Sequence, residues 1–140
     1  MGHEYTVEFR IYSETLDPDV ITRELGLQPC QVRIQGSLRS GGKSTHTGMW
    51  GFDGTDEETA GNKNWDSLEE GLAYVMDKLW PVREKIAKYA GNGESIWWCG
   101  HFQSSFDGGP HLSPNLLRRL GEFGAPLYID NYFGEPRPNS

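Results

Sequence analysis

The chain has 140 residues, and its 20 acidic against 13 basic residues leave a net charge of −7, which opposes binding to nucleic acid because that affinity is built from cationic contacts to phosphate. It is 36% apolar but 12% aromatic, enough for one core of large rings without a disulfide or metal staple, and no apolar run reaches the ~20 residues that span a bilayer. Cys30 and Cys99 stand far apart with no CxxC spacing, which excludes a disulfide framework and fits a reduced, cytoplasmic protein.

The start, Met1-Gly2-His3-Glu4-Tyr5, lacks the basic and apolar regions of a secretion signal. Residues 4–13 alternate, with Tyr5, Val7, Phe9 and Ile11 on one side and Thr6, Glu8, Arg10 and Tyr12 on the other. That is the pattern of a half-buried strand. Asp17 then offers an N-cap and Pro18 a first helical position, where its missing N–H costs nothing. Val20, Ile21 and Leu25 recur at helical spacing, Gly26 closes the helix and Pro29 prevents its continuation. Residues 30–35 alternate again as a second strand, with Val32 and Ile34 opposite Gln31, Arg33 and Gln35.

From Gly36 to Gly48 the chain is Gly, Ser, Thr and basic, a loop without periodicity. Met49 to Phe52 reads as a short aromatic strand, and 53–64 as an acidic loop. Asp66 with Glu69 resembles a capping box opening a long helix to about residue 90, which Pro81 should kink or divide. Residues 94–103 form a strand that is aromatic on both faces, with Ile96, Trp98, Gly100 and Phe102 opposite Trp97, Cys99, His101 and Gln103. A second helix signature at 113–121 and a last strand from Leu127 to about Phe133 complete the order. Residues 134–140 hold two Pro and no apolar residue and read as a disordered tail behind a single domain of residues 1–133.

The segments Leu16–Pro29 and Leu112–Pro126 echo each other, each a helix between two strands. The expected architecture is therefore α+β. It is a mostly antiparallel sheet with helices on one face, built as a ferredoxin-like strand–helix–strand pseudo-repeat and extended by one helix and strand.

No catalytic or metal motif emerges from the residues. Gly36 to Ser44 is not a phosphate-binding loop, since five residues separate Gly36 from Gly42 and an aromatic strand follows, not a helix. Cys99 and His101 share a strand face with no third orienting group, and no His or Cys pair has zinc spacing. The acidic residues at 53–58 lack the order of a calcium loop. No catalytic residue, metal or cofactor is expected.

With helices on one face only, the other face should present Glu8, Arg10, Tyr12, Arg33, Gln35, His101, Gln103, Tyr128, Asp130 and Tyr132. Arg39 and Lys43 of the 36–48 loop, and Trp50 on the strand leaving it, join the candidate binding set. Tyr, Trp and Arg are the residues enriched at interaction hot spots. The expected role is a non-enzymatic binding or protein-interaction module that contacts a basic protein partner or a second copy through this face. The alternative is a small-ligand binder or enzyme using the open face and the 36–48 loop.

The pattern L-D-P-D-x-I-x-x-x-L-G-x-x-P at Leu16 to Pro29, Gly36, Gly48 with Trp50, and the run Leu112 to Tyr132 together resemble domain-of-unknown-function family 4279, a family of small bacterial α+β domains, over residues 4–133. The resemblance implies the fold and supplies no catalytic residues. By analogy with small acidic domains encoded beside toxin genes, it also suggests an immunity-like role.

Overall fold

The computed structural model describes residues 2–15, 17–34, 48–55, 64–91 and 94–134. Strand β1 (His3–Ser13) carries the alternation directly into burial, with Tyr5, Val7, Phe9 and Ile11 all at 4% exposure or less. Asp17 caps helix α1 (Pro18–Leu25) by accepting from the Asp19 N–H, and Gly26 ends it at φ 70°, a left-handed conformation that costs a residue without Cβ little. Strand β2 (Gln31–Arg33) is shorter than the expected 30–35 and lies at a sheet edge. Strand β3 (Gly48–Phe52) is wholly buried.

Helix α2 (Leu68–Leu79) starts one residue later than the expected Asp66 cap. Trp65 exchanges both backbone hydrogen bonds with Tyr5, at 2.8 Å each, which holds the chain extended so that Ser67 becomes the cap and accepts from the Glu70 N–H. Glu69 does not close a box; it accepts the Ser113 N–H at 2.6 Å and ties the start of α2 to the start of helix α4 (Pro114–Gly121). Pro81 divides the long helix as expected: a single 3₁₀ turn, Trp80–Val82, separates α2 from α3 (Arg83–Ala90). Strands β4 (Ser95–Gln103) and β5 (Leu127–Phe133) complete the order.

Among the described residues the five strands form one sheet in the order β2-β3-β1-β4-β5. β1 is the middle strand and runs antiparallel to β3 and β4; β2 is antiparallel to β3, and β5 is parallel to β4. The two echoing segments are thus both crossovers between strands of like direction. β4 and β5 are adjacent, whereas β1 and β2 have β3 inserted between them. A crossover of this kind needs a long connection, which the helix supplies.

All four described helices cover one face. Ile21 and Leu25 of α1, Leu72, Val75 and Met76 of α2, Ile86 of α3 and Leu116 and Leu120 of α4 join Phe9, Trp50, Trp97 and Cys99 of the sheet in a single core. Its centre is aromatic: Trp97 meets Phe9 at 4.9 Å and Phe123 at 5.4 Å between ring centroids, both edge-on, the arrangement that ring quadrupoles favour. No described helix is long and apolar enough to cross a membrane. The expected tail at 135–140 and the loop at 35–47 lie outside the described residues.

Three of the expected site and face residues lie on the helix-covered side: Trp50 of the candidate binding set is in the core, and His101 and Gln103, expected on the helix-free face, turn inward. β3 pairs with β1 so that Trp50 stands opposite Ile11 and must share its inward side. Trp50 is 0% exposed and donates its indole N–H to Thr22 Oγ1 at 3.1 Å. His101 stands opposite Tyr5 and is 4% exposed; Gln103, opposite His3, falls on the same side of β4. Both faces of β4 are aromatic, so alternation within the strand did not tell which one is inner, and the register with β1 decides it.

Candidate functional site

On the helix-free face the sheet places a carboxylate where burial is costly. Glu8 sits in the middle strand and is 7% exposed. A carboxylate so placed persists only when paired and hydrogen-bonded. Glu8 Oε1 accepts from Arg10 Nε, and Oε2 accepts from Gln31 Nε2 at 2.5 Å and from the Cys30 thiol at 3.1 Å. Arg10 in turn lies 4.3 Å above the Trp98 ring and donates to the Tyr12 hydroxyl at 3.3 Å, so its planar guanidinium is held on two sides by groups that suit it.

Two glycines make room for this network. A Cβ on Gly51 of β3 would stand 2.5 Å from Glu8 Oε2, and one on Gly100 of β4 would stand 2.6 Å from Thr6 Oγ1. Strand glycine marks such close approach. The result is a cleft of about 330 Å³ lined by Thr6, Val7, Glu8, Arg10, Cys30, Gln31, Asp53 and Trp98. Asp53 enters it from just beyond β3, its Oδ1 accepting from the Thr55 N–H at 2.9 Å and the Thr55 hydroxyl at 2.6 Å.

Electrostatics separate these groups. Burial would lower the pKa of Arg10, but the charge and hydrogen bond of Glu8, with the help of Tyr12, outweigh it and the guanidinium is held more firmly protonated than usual. Cys30 is exposed as a residue, but its thiol lies against Glu8, where desolvation, followed by the carboxylates of Glu8 and Asp53, raises its pKa; it serves as a hydrogen-bond donor to Glu8. Burial likewise pushes Cys99 up to about 12. His101 does not activate it. The two nitrogens of His101 face His3 Nδ1 and Asn131 Oδ1, each at 2.8 Å, while His3 Nε2 donates to the Asp107 carbonyl at 2.5 Å. This chain ties together β1, β5 and the loop after β4. Among the described residues no three His, Cys, Asp or Glu side chains gather as a metal site.

The Cys99 shift carries a stability consequence. Its ordinary value of 9.0, regained on unfolding, lies below the folded value of about 12. The contribution is therefore complete below pH 9 and is lost as pH rises toward 12. Urea midpoints of the wild type should fall through that window. Cys99→Val should fall less steeply, by up to about 1.4 kcal/mol per pH unit; parallel curves would show that the thiol titrates normally in the fold.

Of the residues expected at a site, Arg10 lines the cleft. Tyr12 touches Arg10, and register places Arg33, Tyr128, Asp130 and Tyr132 on the same helix-free face. None of the three β5 residues lines the cleft, although Tyr128 stands beside Trp98 and Asp130 beside Gly100; the Tyr132 ring stacks on Phe102 at 4.9 Å and its hydroxyl donates to Asp130 at 2.7 Å. Arg39 and Lys43 lie outside the described residues. The candidate set lacked Thr6, Cys30, Gln31, Asp53 and Trp98. One local signal was available: Glu8 and Arg10, two apart on a strand, share a face and can pair.

A family model described as domain of unknown function (DUF4279) matches residues 3–134. The chain belongs to this family. No curated protein and no solved structure matches it. The DUF4279 match runs from the start of β1 to the end of β5, so the family domain contains every element that lines the cleft.

Proposed function

We propose that this DUF4279 domain is a non-enzymatic binding module and that the cleft over Glu8 is its ligand seat. The observation that carries this reading is the ordering of Glu8. On a face without helices, a nearly buried carboxylate is held by three donors among the described residues, and the arginine it orients rests on a tryptophan beside a 330 Å³ space. A merely solvated sheet face gains nothing from such ordering, whereas convergent polar groups around a concave wall are the mark of a small-molecule site. The suppressed thiols argue for binding over thiolate chemistry. Two free cysteines fit a reducing cytoplasm. We read β1 to β4 as a ferredoxin-like unit to which α4 and β5 add a second strand–helix–strand copy.

A second reading rests on a separate observation. Phe106 is 87% and Phe133 55% exposed, and their rings stack at 4.3 Å. Exposed aromatic clusters of this kind mark protein interfaces, which keeps a protein partner, basic to match the chain's acidity, as the rival.

The indole N–H resonances of the five tryptophans separate the two readings. In a screen of small amines, polyols, carboxylates and nucleotides, ligands of the cleft should move the Trp98 signal and leave those of buried Trp50 and Trp97 in place. A full screen in which Trp98 never moves would overturn the cleft reading.

A further inference from the structure

The charges around the cleft do not cancel. Glu8 and Arg10 neutralise each other, and the second oxygen of Glu8 is taken by Gln31 and Cys30. Asp53 has no such partner. Its Oδ1 takes both Thr55 hydrogen bonds, and among the described residues no cation stands within ion-pair distance of it. Asp53 is half-buried, so its charge acts through a wall of low dielectric, where an unmatched charge draws its opposite. Two further residues that carry acceptors line the same space: Thr6 with its hydroxyl, and Gln31, whose amide nitrogen is turned to Glu8 and whose side-chain carbonyl takes no part in that bond. Trp98, with Arg10 over its ring, adds an aromatic wall to the same space.

We infer that the cleft takes an organic cation, an ammonium or guanidinium group that pairs with Asp53 and donates to Thr6 and Gln31. Such a group has several N–H donors to meet the acceptors. This inference rests on the cleft reading and names its ligand class. The same chemistry is carried by a free amine or by a lysine or arginine side chain of a basic partner.

The full chain is titrated with spermidine, agmatine, a Gly-Lys-Gly peptide capped at both ends, methyl glucoside and acetate, following the Trp98 indole and Thr55 amide signals. The amines or the lysine peptide should move both signals, and Asp53→Asn should weaken them about tenfold or more. Asn keeps the Oδ1 that Thr55 uses, so the turn survives. Asp77→Asn, which removes the same charge from the exposed face of α2, should leave the affinity unchanged. Tighter spermidine or agmatine points to a free amine and tighter peptide to a basic partner; both support the cation class. Equal weakening by Asp53→Asn and Asp77→Asn overturns the assignment to Asp53. Preference for glucoside or acetate at Trp98 overturns the cation class while leaving the cleft reading intact. Silence of Trp98 toward every probe overturns both.

Discussion

Glu8→Ala is expected to lower the unfolding free energy by about 2–4 kcal/mol, a large loss for a residue on a face without helices. The substitution leaves the half-buried Arg10 without its counter-charge and deprives Gln31 Nε2 and the Cys30 thiol of their acceptor. Removing one member of a buried pair costs more than the pair contributes, because the survivor remains desolvated. The side chains of Arg10 and Glu8 are 21% and 9% exposed, which places the effect below the upper end for fully buried pairs. Glu8→Ala combined with Arg10→Ala should therefore cost less than the sum of the two single changes, by about 1 kcal/mol or more. Urea denaturation of the three variants measures both quantities. A loss under about 1 kcal/mol for Glu8→Ala is what an exposed ion pair would give, and it would remove the preorganised network on which the binding proposal stands.

Trp97→Ala should cost about 3–5 kcal/mol, against a total near 5–15 for a domain of this kind. Trp97 is 0% exposed and wedged between Phe9 and Phe123, so truncation leaves a void in the centre of the core. Trp97→Phe separates packing from polarity. The indole Nε1 of Trp97 is buried with no hydrogen-bond partner among the described residues, and an unpaired N–H of this sort carries a penalty of about 1–3 kcal/mol. Phe removes that penalty and keeps most of the ring, so Trp97→Phe should lie within about 2 kcal/mol of wild type by the same urea measurement. Trp50→Phe tests the reverse case, because its N–H is bonded to Thr22, and it should cost more than Trp97→Phe. Equal losses for Trp97→Phe and Trp50→Phe would mean that the Trp97 N–H is satisfied in solution.

The same contrast between the two tryptophans shows where sequence reading stops. Trp50 and Trp98 both stand in aromatic strands, and the alternation around each does not say which way it faces. Pairing does: Trp50 is opposite Ile11 and goes inward, and Trp98 is opposite Glu8 and goes outward. His101 follows the same rule through Tyr5. A strand alternates with period two, so one residue of register exchanges its faces, and register is set by a partner distant in the chain.

By itself the sequence determined what depends on neighbours within one or two turns. Asp17 and Gly26 bound α1, Ser113 opens the signature of α4, Pro81 divides the long helix, and the apolar alternation of β1 names its inner face. These signals are local because caps, proline geometry and periodicity act through adjacent backbone groups. Only the tertiary structure decided the strand order, the inner face of β4 and the cleft. Thr6, Gln31, Asp53 and Trp98 come from four separate segments and meet because β3 and β4 flank β1, with Gly51 and Gly100 clearing the space between them. That convergence belongs to the pairing of strands remote in sequence, which no single stretch of the chain encodes.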